Sequence, residues 1–169
     1  MSAAVVAVSL DQFNGASTVD ARSLLGACPD IERWVVEVDA GRPYATVQSL
    51  QDSASDSADR ITWAEVAGAL LRHPRIGETA IGDPGDVALS AAEQSGVAQS
   101  DAEALAAGNL AYERHFGYIY LICASGLSGE QMLEALRERL NHDDEQERLV
   151  VMDELRKIAA LRLSKAVAA

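Results

Sequence analysis

Residues 128–140 read SGEQMLEALRERL, and this stretch carries the pattern that decides the fold. Ser128 is followed three residues later by Gln131, a pairing that satisfies two backbone donors left without partners at the start of a helix. Behind this pair, apolar residues return every three or four positions, as they do on the buried face of a helix. These apolar residues are Met132, Leu133, Leu136 and Leu140. The stretch therefore predicts an amphipathic helix that packs against a core.

The same helix-start pairing occurs at other places along the chain. A hydroxyl side chain precedes Gln, Asp or Glu by three residues in Ser9/Gln12, Ser17/Asp20, Thr62/Glu65, Ser90/Glu93 and Ser100/Glu103. Proline and glycine follow several of the apolar runs, at positions where helices end. We predict an all-α protein, a single-domain bundle over residues 1–169 with about seven to nine helices.

Residues 118–124, which read YIYLICA, argue against a helix. Their aromatic and β-branched side chains favour an extended chain. A single strand cannot form a sheet, so we predict a buried extended segment that runs through the bundle. A hydrophobic helical turn is the alternative.

Composition and charge limit the function. The chain has 169 residues, of which 49% are hydrophobic and 24% charged, as in an ordinary globular protein. There are 26 acidic residues and 14 Lys plus Arg, which gives a net charge of −12. This charge repels nucleic acid phosphates and anionic lipid headgroups. We expect neither nucleic acid nor a membrane as a partner.

The cysteines and the hydropathy pattern indicate the compartment. Cys28 and Cys123 form no CxxC motif, which is typical of a protein from a reducing compartment. The apolar run at residues 1–8 is shorter than a secretory signal, and no stretch approaches the roughly 18 apolar residues of a membrane span. We therefore expect a cytoplasmic protein.

The sequence offers little to a metal ion or a nucleotide. His73, His115 and His142 lie far apart and belong to no metal-ligand motif. The run NHDDE at residues 141–145 is rich in ligand atoms, but capping at a helix end and at the next helix start explains it. No phosphate-binding glycine loop or nucleophile elbow is present. We expect no metal and no nucleotide cofactor.

Spacing alone assigns no function to the most prominent polar residues. His73 precedes Pro74 at a predicted helix end, and Glu93 is the third residue of the capping box that Ser90 begins. Arg162 lies near the end of the last predicted helix. Capping, solvation and interaction with the helix dipole explain these residues as well as catalysis does.

Three motifs favour a catalytic role for these residues over a purely structural one. Residues 73–78 read HPRIGE, residues 90–97 read SAAEQSGV, and residues 109–113 read NLAYE. In this order and spacing they resemble the motifs of the 2-oxo-4-hydroxy-4-carboxy-5-ureidoimidazoline (OHCU) decarboxylases, the enzymes that complete urate breakdown to allantoin. The resemblance covers nearly the whole chain. Two positions depart from the family pattern: Gly108 stands where Leu is usual, and Leu127 stands where many members carry a basic residue.

The resemblance implies a reaction and a set of site residues. It implies that His73 is the catalytic acid/base residue and that Glu93 is its partner. The residues that it implies for the substrate pocket are Pro74, Ser90, Gln94, Ile122, Cys123, Ala124 and Arg162. It also implies an all-helical homodimer without metal or organic cofactor. Such a carboxy-lyase converts an anionic ureidoimidazoline to (S)-allantoin.

Two other functions stay open at this point. The chain could be a helical interaction module that has kept the fold and lost the activity, which the acidic surface and Leu127 favour weakly. The presence of His73, Glu93 and Arg162 argues against this module. Alternatively, it could be a lyase that acts on a related ureido or imidazolone acid, because a sequence does not give the size of a pocket.

Overall fold

Helices make up nearly all of the regular structure in the computed structural model, which describes residues 7–76 and 99–169. These ranges contain eight helices and two short strands. In chain order they are β1 (Val8–Ser9), α1 (Leu10–Gly15), α2 (Thr18–Gly26), α3 (Glu32–Ala40), α4 (Val47–Ala58), α5 (Trp63–Leu70), α6 (Gln99–Phe116), α7 (Gly129–Arg139), α8 (Asp144–Ala166) and β2 (Val167–Ala168). The predicted all-α class is confirmed. None of the helices in the described ranges is both long and apolar enough to cross a lipid bilayer.

Side-chain caps confirm most of the predicted helix starts. The pairs that form caps are Ser9/Gln12, Ser17/Asp20, Thr62/Glu65 and Ser128/Gln131. Ser100 lies inside α6, so the helix start predicted there is wrong. Thr46 caps α4 together with Ser49, a start that the pattern missed because serine replaces the usual Glu or Gln.

The described residues fall into two compact units. The first consists of the residues up to Ala69 together with Arg156–Ala169. In this unit α2 packs against α3 and α3 packs against α4. The indole of Trp34 is buried in it and donates to the Ala54 carbonyl oxygen at 2.9 Å. The helices of this unit thus pack on one another around a buried aromatic side chain.

Arg42 holds the C-terminal end of α1 in this unit. Its Nη1 donates to the carbonyl oxygens of Phe13, Asn14 and Ala16, while Nε and Nη2 bind the Asp39 carboxylate at 2.9 and 2.7 Å. Burial alone would raise the pKa of Asp39, but its two arginine partners outweigh burial and lower that pKa. The last carbonyls of a helix have no partner within it, so Arg42 satisfies groups that α1 leaves open.

The strands β1 and β2 form a parallel pair in which Val8 lies beside Val167 and Ser9 beside Ala168. The sequence analysis did not predict this pair. A strand of two residues is too short to show the alternation by which a strand is recognised.

The second unit, Leu70–Leu155, is built around α6 and α7, which pack against each other. Its core residues are Ile76, Leu105, Tyr112, Tyr120, Ala124, Met132, Leu133 and Leu136. Residues 117–128, between the two helices, form neither helix nor strand. Ile119, Tyr120 and Leu121 in this stretch are buried. The predicted buried segment is confirmed, and the alternative of a helical turn is wrong.

Two helical glycines provide a matched test of this packing. A Cβ at Gly68 in α5 would meet no atom of the described residues within 4 Å, whereas a Cβ at Gly108 in α6 would lie 2.9 Å from Cδ1 of Leu136. We predict that Gly68→Ala raises the free energy of unfolding by about 0.5–1 kcal/mol, because alanine loses less backbone entropy in a helix. Gly108→Ala should gain less or should destabilise, because Leu136 must move. Urea denaturation of both variants checks this, and a larger gain at Gly108 would contradict the packing.

Candidate active site

His73 follows α5 at the point where Pro74 stops the helix from continuing. Its Nδ1 lies 3.3 Å from the carbonyl oxygen of Pro74, and its Nε2 is buried. A carbonyl oxygen only accepts, so this contact favours a proton on Nδ1.

The residues that follow His73 are attached to α6. Arg75 donates through Nε and Nη2 to the two carboxylate oxygens of Glu113, the second bond measuring 2.9 Å. Asn109, one turn earlier on α6, donates from Nδ2 to the Ile76 carbonyl oxygen at 3.1 Å. The hydrogen bond from Arg75 also lowers the pKa of Glu113. A bidentate pair fixes direction as well as distance, so the loop that carries His73 has a defined position on α6.

Two charged side chains hold the backbone of the non-helical segment 118–124. Arg139 of α7 donates from Nη1 to the Leu121 carbonyl oxygen at 2.7 Å. Glu154 of α8 accepts at Oε2 from the backbone N–H of Cys123, also at 2.7 Å. A segment outside helices and sheets still has to satisfy its buried N–H and C=O groups, and here side chains do so.

Arg139 is oriented by Glu147, near the start of α8. Arg139 is 5% exposed and Glu147 is fully buried. The Nε and Nη2 of Arg139 lie 2.8 and 2.6 Å from Oε1 of Glu147, which also accepts from the Tyr112 hydroxyl. The other oxygen of Glu147 lies 2.8 Å from Nδ1 of His142. Burial alone would lower the pKa of Arg139, but the hydrogen bonds and the charge of Glu147 outweigh burial and raise it.

Aromatic rings surround this ion pair. The Tyr112 ring lies 4.7 Å from that of Phe116 and 5.2 Å from that of Tyr120, measured between centroids. The guanidinium of Arg139 lies 4.7 Å from the Tyr120 centroid. Burial raises the pKa of Tyr112 and of Tyr120, and raises that of Tyr118 to about 12. All three phenols therefore stay neutral at physiological pH and keep their protons for donation.

Arg162 lies in the first unit and is only 1% exposed. Its Nη1 donates to the carbonyl oxygens of Ala27 and Cys28, at 3.0 and 3.3 Å. These carbonyls follow α2, whose C-terminal end carries partial negative charge. The interaction with a helix dipole that the sequence allowed for Arg162 is thus present, although with another helix than its own. Its role in substrate binding stays a prediction.

The other predicted pocket residues fall into two groups. Pro74 is half-buried, Ile122 packs against the core of the second unit, and Ala124 lies in that core. The predicted site residues outside the described ranges are Ser90, Glu93 and Gln94. In the second unit the structure therefore describes His73 and Pro74 together with the stretch Ile122–Ala124.

The structure supports the interpretation of residues 141–145 as capping residues at a helix end and at the next helix start. Asp143 accepts from the backbone N–H of Gln146 at 2.8 Å, and Asn141 donates to the Arg137 carbonyl oxygen at 2.9 Å. Throughout the two described ranges, no three His, Cys, Asp or Glu side chains come together in a way that could hold a metal ion.

The sequence analysis missed the polar residues that hold this region in place. A signal was present in α8, where Glu147 continues a buried stripe that includes Val151 and Leu155. A charged residue on an apolar helix face indicates a buried partner. Asn109 and Glu113 lie four residues apart, so the sequence indicated that their polar side chains share one face of a helix. Nothing in the sequence indicated that this face contacts residues 75 and 76.

The fold is similar to that of two solved structures. One is an OHCU decarboxylase crystallised in the presence of (S)-allantoin, with a TM-score of 0.70 and 26% sequence identity over 85% of this chain and 96% of that one. The other is an (S)-allantoin synthase, with a TM-score of 0.68 over 95% of this chain and 54% of that one. At 19% identity the second likeness concerns the fold alone.

Curated relatives agree in sequence. The OHCU decarboxylase of Amia calva is 30% identical over 129 residues, which are 73% of this chain and 74% of that protein. The OHCU decarboxylase of Haloferax volcanii is 25% identical over 134 residues, or 78% of this chain and 80% of that protein. The uric acid degradation bifunctional protein TTL of Arabidopsis thaliana is 38% identical over 82% of this chain. The matched region covers 44% of the Arabidopsis protein.

The fold is that of the all-α class to which these decarboxylases belong. The family model for OHCU decarboxylase matches residues 14–164. The chain therefore belongs to the OHCU decarboxylase family.

Arg162 and Arg42 provide a test of what Arg162 does, because both donate to carbonyl oxygens at a helix end and only Arg162 is a predicted site residue. We predict that Arg162→Lys and Arg42→Lys each lower the free energy of unfolding by about 1–3 kcal/mol, because lysine cannot reproduce the planar fork. Arg162→Lys should also raise KM, whereas Arg42→Lys should leave KM unchanged. Urea denaturation and steady-state kinetics measure both effects. An unchanged KM in Arg162→Lys would assign this residue to the end of α2 alone.

Proposed function

We propose that this protein decarboxylates OHCU to (S)-allantoin in urate degradation. The observation that carries the proposal is the family match over residues 14–164, which includes His73 and the segment that Arg139 and Glu154 hold. The crystallised OHCU decarboxylase with (S)-allantoin supports it, since the likeness covers 96% of that chain. The relatives from Amia calva and Haloferax volcanii carry the same activity in their names.

The substrate supplies its own electron sink. It carries a carboxylate and a hydroxyl on one ring carbon, beside a C=N bond. When the bond to CO2 breaks, its electron pair forms a ring C=C bond and the C=N pair moves to nitrogen, which takes up a proton. The resulting enol loses its hydroxyl proton, and the adjacent ring carbon gains one. Each turnover therefore consumes one proton from solution, and the face on which the carbon is protonated decides which enantiomer forms.

In this proposal His73 handles the protons. Its Nδ1 faces the Pro74 carbonyl oxygen, so Nε2 is the atom that accepts the hydroxyl proton and returns a proton to one face of the ring. The attachment of Arg75 and Ile76 to α6 limits the movement of the histidine backbone. A donor held on one side of the ring gives a single enantiomer.

The other roles in the proposal follow from residue chemistry. Glu93 partners His73 and favours its charged form. Arg162 offers a fork that matches a carboxylate or a ureido group. Ser90, Gln94 and the backbone of residues 122–124 complete the pocket with hydrogen-bonding groups.

The proposal also covers the cofactor requirement, the domain organisation, the cellular location and the oligomeric state. The protein acts as a carboxy-lyase without a metal or organic cofactor, and residues 1–169 form one catalytic domain. It works in the cytoplasm as a homodimer. Light scattering coupled to size-exclusion chromatography tests the homodimer directly, and a monomeric mass would remove that assignment.

Circular dichroism tests the activity. Urate oxidase and a hydroxyisourate hydrolase generate the substrate in place, and its spontaneous decay gives racemic allantoin without a signal. We predict that this protein, dialysed against EDTA, produces the (S)-allantoin signal rapidly. Folded protein that does not accelerate its appearance would favour a helical interaction module. Activity that returns only with a divalent ion would contradict the cofactor-free assignment.

His73 and Glu93 have separable roles in the same assay. We predict that His73→Asn keeps the melting temperature while activity falls by about two to four orders of magnitude, the usual range for one general acid/base residue. Glu93→Gln should also lose activity, because it keeps a capping side chain and removes the charge beside His73. If Glu93→Gln were fully active while Glu93→Ala lost about 1 kcal/mol of stability, Glu93 would be a capping residue only.

A further inference from the structure

Two helices contact the backbone of segment 118–124 through charged side chains. Arg139 extends from α7 to the carbonyl oxygen of Leu121, and Glu154 extends from α8 to the N–H of Cys123, each at 2.7 Å. Both contacts join a full charge to a backbone group, and hydrogen bonds of this kind are about twice as strong as neutral ones. The segment is therefore fixed at two residues that flank Ile122.

The spacing of these contacts decides which backbone groups face elsewhere. In an extended chain, the N–H and C=O of one residue point to the same edge, and those of the next residue point to the opposite edge. The sequence predicts an extended chain here, and Leu121 and Cys123 are two residues apart, so we expect their polar groups to share an edge. In that conformation the N–H and C=O of Ile122 face the opposite edge, away from the groups that Arg139 and Glu154 bind.

Arg139 holds its position because Glu147 binds it. The carboxylate of Glu147 is fully buried and bonds the guanidinium at Nε, which leaves Nη1 aimed at Leu121. The ring of Tyr120 lies against the same guanidinium. A buried charge with this many contacts has few alternative rotamers, so it defines the position of the carbonyl that it binds.

We propose that Arg139 and Glu154 are positioning residues, which hold one edge of segment 118–124 so that the Ile122 N–H and C=O on the other edge bind the substrate. This inference rests on the proposed function. It narrows the predicted backbone contacts from three residues to one and assigns a role to two side chains outside the predicted pocket. A donor and an acceptor side by side match an amide-like group of the imidazoline ring or of its ureido arm.

Glu154 is the better residue to vary, because removing Arg139 would leave the buried Glu147 without its cation and could unfold the protein. Glu154→Gln keeps an acceptor oxygen for the Cys123 N–H, whereas Glu154→Ala removes it. Glu134→Ala is the matched control, since Glu134 is an exposed glutamate in the middle of α7. All variants are assayed in the full chain at a temperature at which circular dichroism shows them folded.

We predict that Glu154→Ala lowers kcat/KM by roughly 10- to 100-fold, the loss that corresponds to one hydrogen bond to a charged group. Most of the fall should lie in KM, because the segment binds the substrate before and during the reaction. Glu154→Gln should restore kcat/KM to within about threefold of wild type, and Glu134→Ala should equal wild type. A folded Glu154→Ala variant with wild-type kcat/KM would overturn the proposal.

Amide NMR separates this proposal from the proposed function. In ¹⁵N-labelled wild type, the Cys123 amide proton should resonate downfield, in Glu154→Gln it should stay close to that position, and in Glu154→Ala it should move upfield. Titration with (S)-allantoin should shift the Ile122 amide more than the Cys123 amide. If wild type were inactive but its Cys123 amide showed these shifts, the decarboxylase function would be refuted and the contact between Glu154 and Cys123 would stand. A larger shift at Cys123 than at Ile122 would refute the assignment of the edges.

Discussion

The buried ion pair between Arg139 and Glu147 is the interaction on which the second unit depends. A helical protein that includes a buried non-helical segment must find partners for the N–H and C=O groups of that segment, because an unsatisfied buried group costs about 1–3 kcal/mol. Arg139 meets this need at Leu121, and it can be buried only because Glu147 neutralises it. Removing either charge would leave the other one buried alone, so the ion pair and the segment depend on each other.

Arginine side chains also bind backbone carbonyl oxygens in the first unit. Arg42 binds three carbonyl oxygens at the end of α1, and Arg162 binds two carbonyl oxygens that follow α2. Short helices have a large share of unpaired end groups, since each helix leaves four carbonyls open whatever its length. Several arginines of this acidic chain therefore serve the backbone rather than the surface.

Local signals in the sequence predicted the helices well, because capping and apolar spacing act within a few residues. Ser128 and Gln131 are an example, and so is the aromatic and β-branched composition that marked residues 118–124 as non-helical. Contacts between distant residues could not be predicted in this way. The bond from Arg75 to Glu113 joins positions 38 apart, and no periodicity encodes such a pairing. The resemblance brought both motifs to attention without showing that one supports the other.

The two parts of the candidate site in the second unit are positioned through the same pair of helices. The loop that carries His73 is attached to α6, and segment 118–124 is attached to α7 through Arg139. The relative position of the histidine and the segment is thus set by the packing of α6 on α7. Leu136 of α7 fills the space beside Gly108 of α6. The methyl groups of Leu136 occupy the space that a side chain at Gly108 would need, so the contact between the two helices is filled at this position.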